Sequence, residues 1–313
     1  MTRYPLLFLF VPLTAACGAA HPSAGTFGDG GHGQDSGFAF GGDDGGMVLG
    51  GGDGGTPPGT PGCSDEAKLV YVVSHEGALY SFYPPTLTFT PIGQVACPTG
   101  GAFPFSMAVD REGTAWVLHS DGSVWQVSTK DASCRTAGYQ ANQAGFHLFG
   151  MGFATADATS TTDTLYVSDF DGKGLGILDV ATKKLTPVGP YDGALRGRNS
   201  ELTGTGDGRL FGFFTTSPAQ VAEITKATGA IASNQPLQNV TTGTDWAFSF
   251  WGGDFYLYTA QVGSGLPSSG SGSDVTRYRP SDKSVTVVKT NVGFRIVGAG
   301  VSTCAPTVPV APR

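Results

Sequence analysis

Arg295-Ile-Val-Gly-Ala-Gly300 reads as a β-strand that comes too late in the chain to be followed by a partner, since only Cys304 and a Pro-containing tail lie beyond it. Four earlier segments have the same form: Phe105-Ser-Met-Ala-Val-Asp110, Phe149-Gly-Met-Gly-Phe-Ala154, Ser200-Glu-Leu-Thr-Gly-Thr205 and Trp246-Ala-Phe-Ser-Phe-Trp251. They return at a period of roughly 40 to 50 residues, the mark of a repeat architecture. In each of these four units a second strand follows (Ala115-Trp-Val-Leu, Leu165-Tyr-Val-Ser, Leu210-Phe-Gly-Phe, Phe255-Tyr-Leu-Tyr). Third strands are Val124-Trp-Gln-Val, Leu175-Gly-Ile-Leu, Gln220-Val-Ala-Glu-Ile and Val275-Thr-Arg-Tyr, and turns such as Asp179-Val-Ala-Thr-Lys-Lys lead to a fourth. Four short antiparallel strands per unit make a propeller blade.

The other end supplies what the last strand lacks. After Cys63 the chain runs directly into second-, third- and fourth-strand material, Lys68-Leu-Val-Tyr-Val-Val, Ala78-Leu-Tyr-Ser-Phe and Phe89-Thr-Pro-Ile, with no first strand before it. The orphan at Arg295–Gly300 fills that place. The expected fold is therefore an all-β propeller over residues 63–304, with five four-stranded blades closed by a C-terminal strand that completes the first blade and removes exposed sheet edges. Cys63 and Cys304 flank the joint, and Cys97 and Cys134 lie in the first two blades. Four cysteines allow three connectivities; the fold selects Cys63–Cys304 with Cys97–Cys134. A bridge closing so long a loop stabilises by about 4–5 kcal/mol on the chain-entropy estimate.

The residues before Cys63 have a different character. Met1-Thr-Arg3 and the mostly apolar run Tyr4–Leu13 precede Thr14-Ala15-Ala16-Cys17, a secretory leader (residues 1–16) with small residues at its cleavage site and a core too short to span a bilayer. The small-small-Cys ending resembles a bacterial lipobox, which implies a diacylglycerol anchor on Cys17, although Thr14 stands where Leu is usual. Gly18 is not the Asp of inner-membrane retention, so the outer membrane or cell surface is the expected address. Residues 17–62 then form a Gly/Asp/Pro-rich tether, such as Gly50-Gly-Gly-Asp53-Gly-Gly and Thr56-Pro-Pro-Gly-Thr-Pro-Gly62, whose composition buries too little apolar surface to fold. A calcium-repeat reading of its Gly-Asp runs fails on spacing. Residues 305–313 are expected to be a flexible tail.

Composition narrows the partners. Only 14% of the 313 residues are charged and the net charge is -7, so no basic face is available for phosphates and nucleic acid is not an expected partner. No Gly-x-Ser-x-Gly elbow, His-Glu-x-x-His or Walker sequence occurs, and no cofactor is implied.

Phe105-Ser-Met-Ala-Val-Asp-Arg-Glu-Gly-Thr-Ala-Trp-Val117, Leu202-Thr-Gly-Thr-Gly-Asp-Gly-Arg-Leu-Phe211, Phe248-Ser-Phe-Trp-Gly-Gly-Asp254 and Gly298-Ala-Gly-Val-Ser-Thr-Cys304 resemble segments of uncharacterised β-propeller lipoproteins common in myxobacteria. The likeness covers nearly all of the folded region and implies an anchored propeller, with no activity attached.

Function should lie at the central channel or on the face carrying the loops between blades and the turns between second and third strands. The positions aligned with the channel are Ser106 and Ala108, Gly150 and Gly152, Glu201 and Thr203, Ala247 and Ser249, Ile296 and Gly298, nearly all small, as a narrow bore requires. Met107, Met151, Leu202, Phe248 and Val297 alternate with them and point between blades. Glu201 is the one carboxylate placed near the channel mouth, with Arg196, Arg198 and Arg295 in the same region; a Glu201–Arg295 ion pair and an anionic or sugar ligand bridging them are the two readings. A glycosidase needs a second carboxylate, which the pattern does not supply.

His75 in Ser74-His-Glu-Gly and His119 in His119-Ser-Asp-Gly occupy equivalent turns of adjacent blades beside Glu76 and Asp121, a metal pair if they converge and solvated turns if they do not. Asp169-Phe-Asp171-Gly, the matching turn of the next blade, resembles part of a calcium loop without its remaining ligands. His147 stands alone before a first strand. The long turn Gln261–Asp274 is either a lip over the binding face or a surface insertion. Phe103, Tyr139, Phe146, Tyr191, Trp246 and Phe294 near the blade entries either stack on sugar rings or anchor loops to the core.

The expected function is a monomeric, membrane-anchored, non-catalytic binding or scaffold module for a glycan or protein, with Glu201, Arg295, Arg198, His147 and Trp246 as candidate ligand-binding residues and no catalytic or metal-binding residue assigned. The alternatives are a secreted hydrolase or lactonase at the channel mouth, and a purely structural envelope protein.

Overall fold

Twenty strands account for almost all of the regular structure in a computed structural model that describes residues 63–260 and 272–310. These belong to a unit spanning Thr56–Arg313; the leader, Cys17, the tether to Gly62, most of the long turn 261–274 and the last three residues lie outside the described residues. In chain order the strands are β1 (Val70–Ser74), β2 (Ala78–Tyr83) and β3 (Thr88–Gln94); β4 (Pro104–Val109), β5 (Thr114–His119), β6 (Val124–Ser128) and β7 (Cys134–Thr136); β8 (Phe149–Thr155), β9 (Asp163–Asp169), β10 (Leu175–Leu178) and β11 (Leu185–Gly189). There follow β12 (Glu201–Gly204), β13 (Leu210–Phe214), β14 (Ala219–Ile224) and β15 (Ile231–Leu237); β16 (Asp245–Trp251), β17 (Asp254–Ala260), β18 (Asp274–Arg279) and β19 (Ser284–Lys289); and finally β20 (Ile296–Val301).

They form five four-stranded antiparallel sheets, the five blades of a β-propeller. The first blade has the order β20-β1-β2-β3, so the last strand of the chain is its innermost. Val70 pairs with Val301 and Val73 with Gly298, and the register slips once, between Val73 and Ser74. Both disulfides are formed as expected, Cys63–Cys304 with Cα atoms 5.8 Å apart and Cys97–Cys134 with 5.3 Å.

Each pair of neighbouring blades shares one apolar cluster. Tyr71, Met107 and Val117 fill the joint between blades 1 and 2, Trp116, Phe149 and Met151 that between 2 and 3, and Tyr191, Leu202 and Phe214 that between 3 and 4. Phe213, Phe248 and Leu257 join blades 4 and 5, and Val72, Phe82, Tyr258 and Ile296 join blade 5 back to blade 1. Both faces of a blade are thus covered near the axis, which is why β1 and β17 are buried at every residue while the outer strands β3 and β15 are largely exposed or half-buried. Full aromatic and β-branched runs in second strands are the sequence signature of that double burial.

The upper face carries the entries to the first strands and the turns between second and third strands; the lower face carries the other two turns. On the upper face one turn is repeated in three successive blades. The N–H groups of Gly77, Gly122 and Gly172 donate to the carbonyls of Ser74, His119 and Asp169, and each glycine has a φ between +81° and +85°, where a side chain would be strained.

Candidate functional site

The inner strands β4, β8, β12, β16 and β20 stand side by side around the axis. Their approach is close: a Cβ on Gly150 would lie 2.2 Å from the Ser200 carbonyl oxygen, and one on Gly204 would lie 2.0 Å from that of Phe153. Small residues are therefore a packing requirement here. The expectation that Ala108, Ala247 and Ile296 line a channel needs correction. Ala108 packs between blades 2 and 3, and Ala247 and Ile296 pack between blades 5 and 1, because a blade stands edge-on to the axis and aims its side chains at its neighbours.

What the ring does hold is a buried polar bridge. Glu201, at the start of β12 in blade 4, is 4% exposed, and the Ser106 hydroxyl of blade 2 donates to its Oε2 at 2.8 Å. The same hydroxyl accepts the Met151 N–H of blade 3 at 3.1 Å, so three blades meet at one oxygen. Thr203 accepts the Phe250 N–H at 3.2 Å, and Ser249 pairs with the Tyr258 hydroxyl at 3.0 Å. Burial raises the Glu201 carboxyl well above the usual 4.5, only partly offset by the Ser106 hydroxyl and the Met151 N–H, which favours its neutral form.

This gives a pH dependence with a definite sign. The folded state keeps a proton that the unfolded chain has released, so raising the pH from about 4.5 towards the elevated folded-state value favours unfolding, by up to about 1.4 kcal/mol per pH unit. Glu201→Gln, which carries the neutral group permanently, should remove that slope. Urea midpoints at about pH 5 and about pH 8 are expected to fall in the wild type and to converge for the variant; parallel behaviour of the two proteins would argue that Glu201 is not held neutral.

Glu201 does not meet Arg295, correcting the expected ion pair. Arg295 precedes β20 on the upper rim, and its guanidinium pairs with Asp245 at 3.0 Å and Glu76 at 3.5 Å across the joint of blades 5 and 1. Glu201 begins its strand one step further in and turns towards Ser106 instead. Arg196 and Arg198 are exposed on the loop before β12, and His147 is exposed with its ring against Gly122. The candidate residues are thus dispersed around the upper rim.

The two histidines do not converge. Ser74, His119 and Asp169 occupy one position of the repeated turn, and His75 and Phe170 the next, so His119 is buried while His75 reaches the surface and stacks on Phe103 at 4.8 Å. Burial pulls the His119 imidazole below its ordinary value. Asp169 is fully buried; its Oδ2 accepts the Lys173 backbone N–H at 2.9 Å, and the Lys173 ammonium lies 3.6 Å from its Oδ1 and 4.0 Å from Oδ2 of Asp171, so one lysine faces both carboxylates. Among the described residues no three His, Cys, Asp or Glu side chains are grouped as a metal would require.

The aromatic residues divide. Tyr139, Phe146 and Tyr191 are buried anchors, and Tyr191 shares the Ser200 hydroxyl, itself bonded to Ser168, which ties down the loop bearing Arg198. Phe103 remains 44% exposed. Phe170, read from the sequence only as the spacer of an acidic turn, is the residue missed: it is 37% exposed, meets Phe105 of blade 2 edge-on at 5.3 Å, and lies nearly parallel to Trp246 of blade 5 at 6.4 Å. Phe170 belongs to blade 3. Rings from blades 2, 3 and 5 therefore come together on the upper face. The signal for it was its place in the turn equivalent to His75, a position that the fold exposes.

No family model and no curated protein matches this chain. Solved structures similar to it include the WD40 domain of Neurospora crassa Pan2, at 12% identity and a TM-score of 0.41, covering 72% of this chain and 63% of that one. Regucalcin from Agrobacterium tumefaciens, described as a calcium-binding protein, is 12% identical with a TM-score of 0.42, covering 74% of this chain and 76% of its own. A luciferin-regenerating enzyme is 15% identical with a TM-score of 0.42, over 77% and 78% of the two chains.

Proposed function

We propose that this chain is an exported lipoprotein of the myxobacterial type, anchored through Cys17 at the outer membrane or cell surface, whose propeller is a non-catalytic module that binds a glycan or protein on its upper face. The observation that carries the reading is the aromatic group around Phe170. Phe103 and Phe170 are the two exposed aromatics among the large exposed apolar residues described, and both lie on this face. Exposed aromatic rings are frequent anchors of recognition surfaces.

A non-catalytic role is favoured by the carboxylates. Glu201 is buried and inclined to stay neutral, and Asp245 and Glu76 are engaged by Arg295, so these three upper-face carboxylates do not form the free pair that glycoside hydrolysis needs. Export is favoured by two disulfides, which persist in oxidising compartments. Cys63 and Cys304 are joined beyond the lower end of β20, on the face opposite the aromatic group.

A glycan array probed with the full chain, beside a pull-down from envelope extract, tests the reading. Phe170→Ala and Trp246→Ala are each expected to cost about 2 kcal/mol of binding, some thirtyfold in affinity. Binding indifferent to both variants would place the site elsewhere, and turnover of an ester or lactone panel would return the hydrolase alternative.

A further inference from the structure

The lower face holds a cleft of about 350 Å³ between blades 4 and 5, within the range of small-molecule sites, about 300–1,000 Å³. It arises from radial geometry. Blades diverge outwards, so their outer strands need large apolar side chains to fill the widening wedge. Blades 1 and 3 have them: Phe89 and Ile92 on β3, and Leu185 and Val188 on β11, pack against the neighbouring clusters. The fourth strand of blade 4 reads Ile231-Ala-Ser-Asn-Gln-Pro-Leu237, apolar at its ends and polar between. Ser233 and Gln235, opposite Glu223 and Val221, both line the cleft, and the wedge stays open there.

Its floor is aromatic. Phe211 meets Phe255 edge-on at 4.8 Å, and Phe255 stacks with Tyr278 at 6.0 Å. Its wall is a flat hydrogen-bonding array: Arg209 grips Glu223 with two bonds, Nε to Oε1 at 3.0 Å and Nη2 to Oε2 at 2.8 Å, while its guanidinium lies 4.6 Å over the Phe211 ring. The hydrogen bonds from Arg209 hold the Glu223 carboxyl below its ordinary value, so the pair stays charged at neutral pH and cancels itself. Asp207, bonded by the Thr205 hydroxyl, is the one lining charge left over. Thr307 closes one side, held there by the bond from the Gly252 N–H to the Pro306 carbonyl at 2.7 Å.

We propose that this cleft is a binding subsite for a neutral sugar unit of a polysaccharide or glycoconjugate, separate from the upper face. A pyranose has a C–H face that rests on aromatic carbon and an edge of adjacent hydroxyls that both donate and accept. The ring edges of Phe211, Phe255 and Tyr278, buried except where they border the cleft, supply apolar carbon for the first, and the Arg209–Glu223 plane with the Gln235 amide matches the second. Asp207 disfavours acidic sugars by like-charge repulsion. The proposal stands independently of the upper-face reading, and variants on opposite faces separate the two.

Saturation-transfer NMR of the full chain with maltotriose, cellotriose, the trimer of N-acetylglucosamine and trigalacturonate provides the test. At least one neutral trimer is expected to bind saturably, and trigalacturonate at least tenfold more weakly. Ser233→Trp, on an exposed outer strand, fills the cleft and should weaken binding tenfold or more with an unchanged melting temperature, whereas Phe170→Ala should leave it within twofold. Should the tryptophan variant not fold, Gln235→Ala is expected to weaken binding severalfold. No saturable binding of any neutral trimer, stronger binding of trigalacturonate, or retention of affinity in both cleft variants overturns the proposal. Sugar binding lost in Phe170→Ala but kept in Ser233→Trp would overturn it while supporting the upper-face site.

Discussion

Replacing Cys63 and Cys304 with serine is expected to lower the free energy of unfolding by about 4–5 kcal/mol, against about 3–4 kcal/mol for the Cys97 and Cys134 pair. The cause is loop length. Cys63–Cys304 spans 241 residues and Cys97–Cys134 spans 37, and a longer covalent loop removes more freedom from the unfolded chain. The first bridge also guards the closing joint, where β20 is held to β1 by one short ladder. Guanidinium unfolding of both serine double variants under identical conditions measures the difference. A loss below about 1 kcal/mol for the Cys63–Cys304 variant would mean that the β20 ladder and the clusters on either side close the ring unaided.

Arg111→Met should cost about 3–5 kcal/mol, because it strips a buried carboxylate of its cation. Arg111 and Asp163 are 6% and 5% exposed in their side chains, with Nε donating to Oδ1 at 3.0 Å, and Arg111 also donates to the Ser160 carbonyl at 3.1 Å. The Thr303 hydroxyl reaches both Asp163 oxygens, at 2.9 and 2.8 Å. The lower turn of blade 2, the start of β9 in blade 3 and the residue before Cys304 are therefore locked together. Adding Asp163→Asn to Arg111→Met is expected to recover most of the loss, since no unpaired charge then remains buried. Full additivity of the two substitutions would contradict the pairing. The Arg111 guanidinium lies 3.7 Å from the Cys63 sulfur, so this variant and the disulfide variant should couple rather than add.

The candidate site was legible in fragments. Glu201 and Arg295 were placed near the channel mouth, and Trp246 near a blade entry, from strand alignment alone, because blade repeats put equivalent residues at equivalent heights. Their partners were not legible. Ser106 is 95 residues from Glu201 and two blades away, Asp245 is 50 from Arg295, and nothing in local pattern distinguishes a carboxylate turned inwards from one on the rim. Phe170 was hidden for a related reason: an aromatic residue between two aspartates reads as the spacer of an acidic turn until that turn is superimposed on its equivalents.

Five blades, their strand order, closure by the C-terminal strand and the pairing of four cysteines were all determined by the sequence itself. Each follows from local rules: alternation with a period of two, glycines at turns with positive φ, and a missing strand at one end matched by a surplus strand at the other. Only the tertiary structure decided which polar residues are buried, which rings meet on the upper face, and where a wedge between blades stays open. These depend on the angle and distance at which neighbouring sheets pack. At Ser233 and Gln235 the sequence shows only an outer strand with a polar middle, and it takes the divergence of blades 4 and 5 to turn that polarity into a cleft.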